Sequence, residues 1–169
     1  PNDNETFNNR GSIWYAKGDL DKALKDYNVA LAINPKNAAA FSNRGMVWCA
    51  EGEWDKGLKD YNKALDIKPD IEQALFGRGI AYQEKGELKK ARENYEKGLA
   101  CNPECLGAIF NLAVLYMYQG ALDESEKGFE RVLSLDDRFQ YTKESREGIQ
   151  YIKRRKYFLK KGKPSSEAV

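Results

Sequence analysis

Histidine is absent from all 169 residues, which removes the commonest general base and the commonest zinc ligand together. Cysteine is scarce. Cys49, Cys101 and Cys105 form an odd set at spacings unlike a disulfide framework, which favours a reducing, cytoplasmic setting. Cys101 and Cys105 stand four apart and could share a helix face, but two thiols without further partners make a poor metal site, and both read as small buried apolar fillers. No metal or other cofactor is expected. Long apolar runs are also lacking: no stretch approaches the roughly 18–20 residues of a membrane span. No nucleophile with a base, metal cluster or phosphate loop is visible, so the chain is not expected to be an enzyme. It opens on Pro1 and reads as a trimmed product, from which a signal peptide or lipid anchor could have been lost upstream.

What is present is periodic. The balance of 41% hydrophobic against 32% charged residues suits a folded chain rich in exposed helix and argues against disorder. A 34-residue shift superposes FNNRGSIWYAKGDLDKALKDYNVALAINP from Phe7 on FSNRGMVWCAEGEWDKGLKDYNKALDIKP from Phe41. The match continues from Leu75 and, more loosely, from Ile109. Four units result, at 4–37, 38–71, 72–105 and 106–139. Phe7, Gly11 and Trp14, then Ala23, Tyr27 and Ala30, follow helical spacing, so each unit is two amphipathic helices. Gly18, Gly52, Gly86 and Gly120 fall where a left-handed turn is needed, and Pro35, Pro69 and Pro103 stop the second helix. Gly11, Gly45, Gly79 and Ala113 form a notch facing Ala23, Gly57, Ala91 and Ser125. Trp14, Trp48, Tyr82 and Tyr116 fill the core beside Tyr27, Tyr61, Tyr95 and Phe129.

This pattern resembles the tetratricopeptide repeat family through the first 136 or so residues. The resemblance implies an all-α fold, an α-solenoid winding as a right-handed superhelix of helix-turn-helix repeats, with first helices lining a concave groove. Arg10, Arg44 and Arg78 depart from the family's usual leucine, which the fourth unit keeps as Leu112. That unit lacks the closing proline; Asp137 stands there and could cap a following helix.

The groove face is legible from helix rotation. Asn9 lies about 200 degrees from the core residue Phe7 and points away from the pair contact. The repeat shift carries it to Asn43, Gly77 and Asn111, a carboxamide ladder broken once. An amide offers donor and acceptor to an extended peptide's backbone, and a similar ladder is used by the repeats of the glycosyltransferase that attaches O-linked N-acetylglucosamine. The competing reading is asparagine tolerated on an exposed face. Ser12, Ala16 and Met46 continue this face. Phe76, Ile80, Phe110, Val114, Met117 and Tyr118 make its later part apolar, as a partner site or a strip covered by the chain's own C-terminal helix or a twin molecule. The family's carboxylate clamp for heat-shock chaperones requires Lys, Asn, Lys and Arg where this sequence has Asn8, Ser12, Gln73 and Gly77. Only Asn43 matches, so no chaperone clamp is expected.

Residues 140–161 carry eight basic against two acidic side chains, leaving residues 1–139 net acidic. Tyr141, Ser145, Ile149, Ile152 and Leu159 form a stripe suited to a basic capping helix over the fourth unit. The polar residues 162–169 are expected to be disordered. A protein-interaction scaffold holding a peptide or helix of a partner in the groove is the leading expectation. Self-assembly as a homo-oligomer, or association of the basic tail with a membrane or nucleic acid, are the alternatives, the last carried only by a weak run of four basic residues.

Overall fold

A computed structural model describes residues 3–136 and 140–161. Among the described residues all regular structure is α-helical: α1 (Asn4–Ala16), α2 (Leu20–Ile33), α3 (Ala38–Ala50), α4 (Trp54–Ile67), α5 (Glu72–Glu84), α6 (Leu88–Cys101), α7 (Leu106–Gln119), α8 (Leu122–Leu135) and α9 (Thr142–Lys160). The helices form two compact units, Pro1–Cys101 and Asn102–Val169.

The first unit holds three antiparallel pairs, α1/α2, α3/α4 and α5/α6. The turn within each pair is closed by a glycine at positive φ, as at Gly18 (φ 78°), where the amides of Gly18 and Asp19 reach back to the carbonyls of Tyr15 and Trp14 at 2.9 and 3.0 Å. These bonds satisfy the last orphan carbonyls of α1 and reverse the chain within a few residues. Asp3, Asp19 and Asn37 then accept amides of the next helix's first turn and fix where α1, α2 and α3 begin.

The notch at Gly11 receives an aromatic ring: a Cβ there would stand 2.7 Å from Cε1 of Tyr27. In the second pair Gly45 and Gly57 do face each other, a Cβ on Gly45 lying 3.2 Å from the Gly57 carbonyl. The aromatic core divides into two kinds. Tyr27, Tyr61 and Tyr95 are fully buried, whereas Trp14, Trp48 and Tyr82 are half-buried and covered by the ammonium groups of Lys22, Lys56 and Lys90 at 4.6, 4.7 and 5.1 Å from the ring centroids. A lysine stem over a ring shields apolar area while its charge stays wet.

The second unit packs α7 on α8 and lays α9 across them. Ser145 and Ile152 are buried, Ile149 packs against the Ala113, Leu122, Phe129 and Ile152 cluster, and Tyr141 stacks on Phe110 at 4.9 Å. Leu159, expected on the same stripe, is 55% exposed, because the stripe outruns the helices beneath it. The carboxylate that seats α9 is that of Asp136, accepting from the amides of Gln140 and Tyr141 at 3.0 and 2.7 Å and from the Thr142 hydroxyl at 3.1 Å. Lys156 ties α9 to α8 through Asp123 and Glu126, both at 2.6 Å. The capping expected of Asp137 and the disorder expected of residues 162–169 lie outside the described residues.

Candidate binding clefts

The first unit opens a cleft of about 380 Å³ on its first helices. Asn43 and Met46 of α3 and Phe76 and Ile80 of α5 line it, all four from the face that sequence spacing assigns to the groove. Tyr15, Cys49, Trp54, Tyr61 and Gln73 complete it. Met46 is 36% exposed and Phe76 rests on the Tyr95 ring at 5.9 Å, so the wall is held from behind by the core.

Polar groups at one end are fixed by a short network. Asn43 Nδ2 donates to Asn8 Oδ1 at 3.0 Å and to Ser12 Oγ at 3.4 Å, and the Tyr27 hydroxyl donates to the same Ser12 oxygen at 3.2 Å. Ser12 in turn donates to the Asn8 carbonyl at 3.2 Å. Asn43 is thereby oriented through its NH2 group, which leaves its carbonyl oxygen as the acceptor offered to a ligand. Asn9 lies apart from this cleft. It lines a polar hollow with Asn4, Asn8, Asn34 and Asn37, braced by an Asn37 to Asn4 hydrogen bond of 2.6 Å.

The break in the ladder at Gly77 has a physical cause. A Cβ at this position would overlap the Tyr61 ring and hydroxyl, which form the cleft floor. The Tyr61 hydroxyl is paired with the Cys49 thiol, and burial pushes both groups above their ordinary pKa. Both therefore stay neutral at physiological pH, and the floor carries no charge.

In the second unit a separate cleft of about 510 Å³ lies between α7 and α9. Phe110, Val114 and Met117 form its floor, with Tyr118 at its edge and Glu144, Glu147, Tyr151 and Arg155 on the α9 side. Phe110 is committed inward, stacked on Tyr141 and edge-on to Phe129 at 5.7 Å. Asn111 is half-buried and lines neither cleft.

Sequence reading did not anticipate the partners of the three arginines. Arg10 and Arg44 each grip a buried aspartate, Asp26 and Asp60, through Nε and Nη2. Arg78 meets Asn94 instead at 2.7 Å. The signal was present as an acidic or amide residue sixteen positions after each arginine, and as Gly128 after Leu112.

Among the described residues no group of three or more His, Cys, Asp or Glu is placed to hold a metal ion, and no helix is long and apolar enough to cross a membrane.

A search of curated proteins finds no matching sequence. Among solved structures the chain is similar to the MamA protein, with TM-score 0.75 and 20% identity over 98% of this chain and 85% of that one. It is similar to the first TPR of Spaghetti (RPAP3) bound to the HSP90 peptide SRMEEVD, with TM-score 0.66 and 20% identity over 69% and 93%. It also matches the Arabidopsis OM64 TPR domain, with TM-score 0.66 and 23% identity over 68% and 95%. At these identities the likeness is one of fold. Family models described as TPR repeat or tetratricopeptide repeat match residues 11–48, 36–104 and 76–138, so the chain belongs to the tetratricopeptide repeat family.

Proposed function

We propose that the chain is a protein-interaction scaffold, not an enzyme, that holds a peptide or helix of a partner protein on its first helices. The observation that carries this is the first-unit cleft: about 380 Å³, apolar, with one oriented carboxamide at its end. An apolar pocket with few fixed polar groups is the usual form of a recognition site, the apolar wall supplying affinity and the amide fixing the backbone. The groove set of Asn9, Ser12, Asn43, Met46, Phe76, Ile80, Phe110, Asn111, Val114 and Met117 is proposed with two roles. Asn43, Met46, Phe76 and Ile80 contact the ligand, and Ser12 orients Asn43. Asn9 and Asn111 are proposed as outlying contacts, and Phe110, Val114 and Met117 line the separate second-unit cleft, which takes a second segment. The fold's occurrence with a bound peptide, in the Spaghetti (RPAP3) structure, supports the mode of binding. The groove lacks the basic residues of a chaperone clamp, so the ligand proposed is not a chaperone's acidic terminus.

The test is a photo-crosslinkable benzoyl-phenylalanine placed at Met46 in the full chain, beside one at exposed Lys63 on α4. A partner captured from Met46 alone, and lost on Asn43→Ala/Phe76→Ala, is the expected result. Equal capture from both positions would refute the groove reading.

A further inference from the structure

The second unit's cleft differs in chemistry from the first. The helix forming its floor, α7, has no acidic or basic side chain in its fourteen residues, LGAIFNLAVLYMYQ. Tyr118 stands 75% exposed at its edge, beside the half-buried Val114 and Met117. All ionic character comes from α9, and it is ordered along the helix. Glu144 and Glu147 rim one end, both exposed and with no cation paired to them among the described residues. Arg155 stands toward the other, about 16 Å from Glu144 along the helix axis.

Arg155 has a further feature. Its Nη1 donates to the Tyr151 hydroxyl at 3.2 Å, but its Nε is buried and has no hydrogen-bond partner among the described residues. That Nε is closed to solvent, but the Arg155 side chain is only half-buried and lines the cleft, so its guanidinium charge marks this end as the one that favours an anion or acceptor. The cleft therefore has an apolar floor, an acidic end and a donor end. Its width is kept by Gly148, where a Cβ would stand 2.6 Å from the Phe129 ring.

We propose that this cleft is a docking site for a short amphipathic helix of a partner protein that carries a bulky apolar stripe, Lys or Arg at one end and a carboxylate or amide acceptor at the other. The apolar stripe covers Val114, Met117 and Tyr118, the cations meet Glu144 and Glu147, and the acceptor meets the Arg155 guanidinium where it lines the cleft. Charge order fixes the direction in which the helix lies, since the reversed helix brings like charges together at both ends. The proposal rests on the reading of the chain as a binding scaffold and assigns the partner class for this second cleft.

The probe is a fluorescein-labelled synthetic helix with a leucine stripe, lysines at one end and glutamates at the other. Its control has the same stripe with glutamates at both ends, and both are titrated against the full chain by anisotropy. The lysine-bearing helix is expected to bind about tenfold more tightly, the effect of two surface ion pairs together. Glu144→Lys/Glu147→Lys, at exposed positions, should invert that preference. Tyr118→Glu, also exposed, should abolish binding of both while the helical circular dichroism and melting temperature stay unchanged.

Equal binding of the two helices, or a preference that survives the charge reversal, would overturn the proposal. Met46→Glu in the first-unit cleft separates the two readings. If it alone abolishes binding, the helix occupies the other cleft and only the present proposal falls; if no variant in either cleft matters, both fall.

Discussion

Arg44 and Asp60 meet through two hydrogen bonds, Nε to Oδ2 at 2.7 Å and Nη2 to Oδ1 at 2.8 Å, on a carboxylate that is 4% exposed. The remaining nitrogen, Nη1, reaches Asn28 of the preceding repeat at 2.6 Å. One side chain thus joins α3 both to its own pair partner α4 and to α2 before it. Arg78 repeats the arrangement with neutral partners, Asn94 at 2.7 Å and Asn62 at 2.8 Å. Burial accordingly lowers the Arg78 pKa, whereas the Asp26 carboxylate raises that of Arg10.

The contrast predicts an asymmetry between removing one partner and removing both. Arg44→Leu strands a buried carboxylate and should destabilise the chain by about 2 kcal/mol, below the range for a fully buried pair because Arg44 is 21% exposed. Adding Asp60→Leu should restore most of that loss, since the uncompensated charge is gone. Urea midpoints of the two variants check it, and a double variant less stable than Arg44→Leu would refute this account.

The two kinds of glycine should respond differently to alanine. Gly11→Ala places a methyl 2.7 Å from the buried Tyr27 ring, and overpacking of this kind costs about 1–3 kcal/mol. Gly18→Ala meets no atom within 4 Å and pays only for the left-handed backbone at φ 78°, about 1 kcal/mol. Thermal melts should rank Gly11→Ala as the more damaging, and Tyr27→Leu should relieve Gly11→Ala without helping Gly18→Ala.

The attachment of α9 should weaken with acid. Asp123 is held below its ordinary pKa chiefly by its hydrogen bond to Lys156. A carboxylate depressed in the folded state contributes stability that is full above its unfolded pKa of 3.8 and is lost as pH falls through the folded value. Wild type and Lys156→Met should therefore differ in urea midpoint at neutral pH, and the difference should shrink as pH drops below the carboxylate range. A gap independent of pH would mean that Lys156 acts only by packing its stem.

Much of the fold was legible because it rests on residues with one physical use. Gly18, Gly52, Gly86 and Gly120 all adopt positive φ, and all are spaced at the repeat. The apolar spacing from Phe7 onward placed eight of the helices in pairs, and the charge bias with the Ser145–Ile152 stripe placed α9. The clefts were less legible. Met46, Phe76 and Ile80 follow from helix rotation alone, but Trp54 and Tyr61 reach the same space from α4, and their arrival depends on side-chain direction, not on spacing. Leu159 was misplaced because periodicity records which face a residue takes and not where the supporting helices stop. The Arg44–Asp60 pair was missed although its sixteen-residue spacing recurs, because arginine at a leucine position was read as a departure and not as half of a pair.

The three thiols offer a direct report on the first cleft. Cys101, expected as a buried filler, is instead exposed at the last position of α6, while Cys49 lines the cleft and has its pKa raised, first by burial. Since the thiolate is the reactive form, Cys49 should react with an aromatic disulfide reagent much more slowly than Cys101 at pH 8, with the gap narrowing as pH rises. Tyr61→Phe removes the partner hydroxyl but leaves the burial, so it should not make Cys49 fast. A peptide seated over Met46 and Ile80 covers the cleft that Cys49 lines, so it should slow Cys49 further and leave Cys101 unchanged. Mass spectrometry of the labelled chain distinguishes the sites. A Cys49 rate unaffected by a bound peptide would place that peptide elsewhere on the chain.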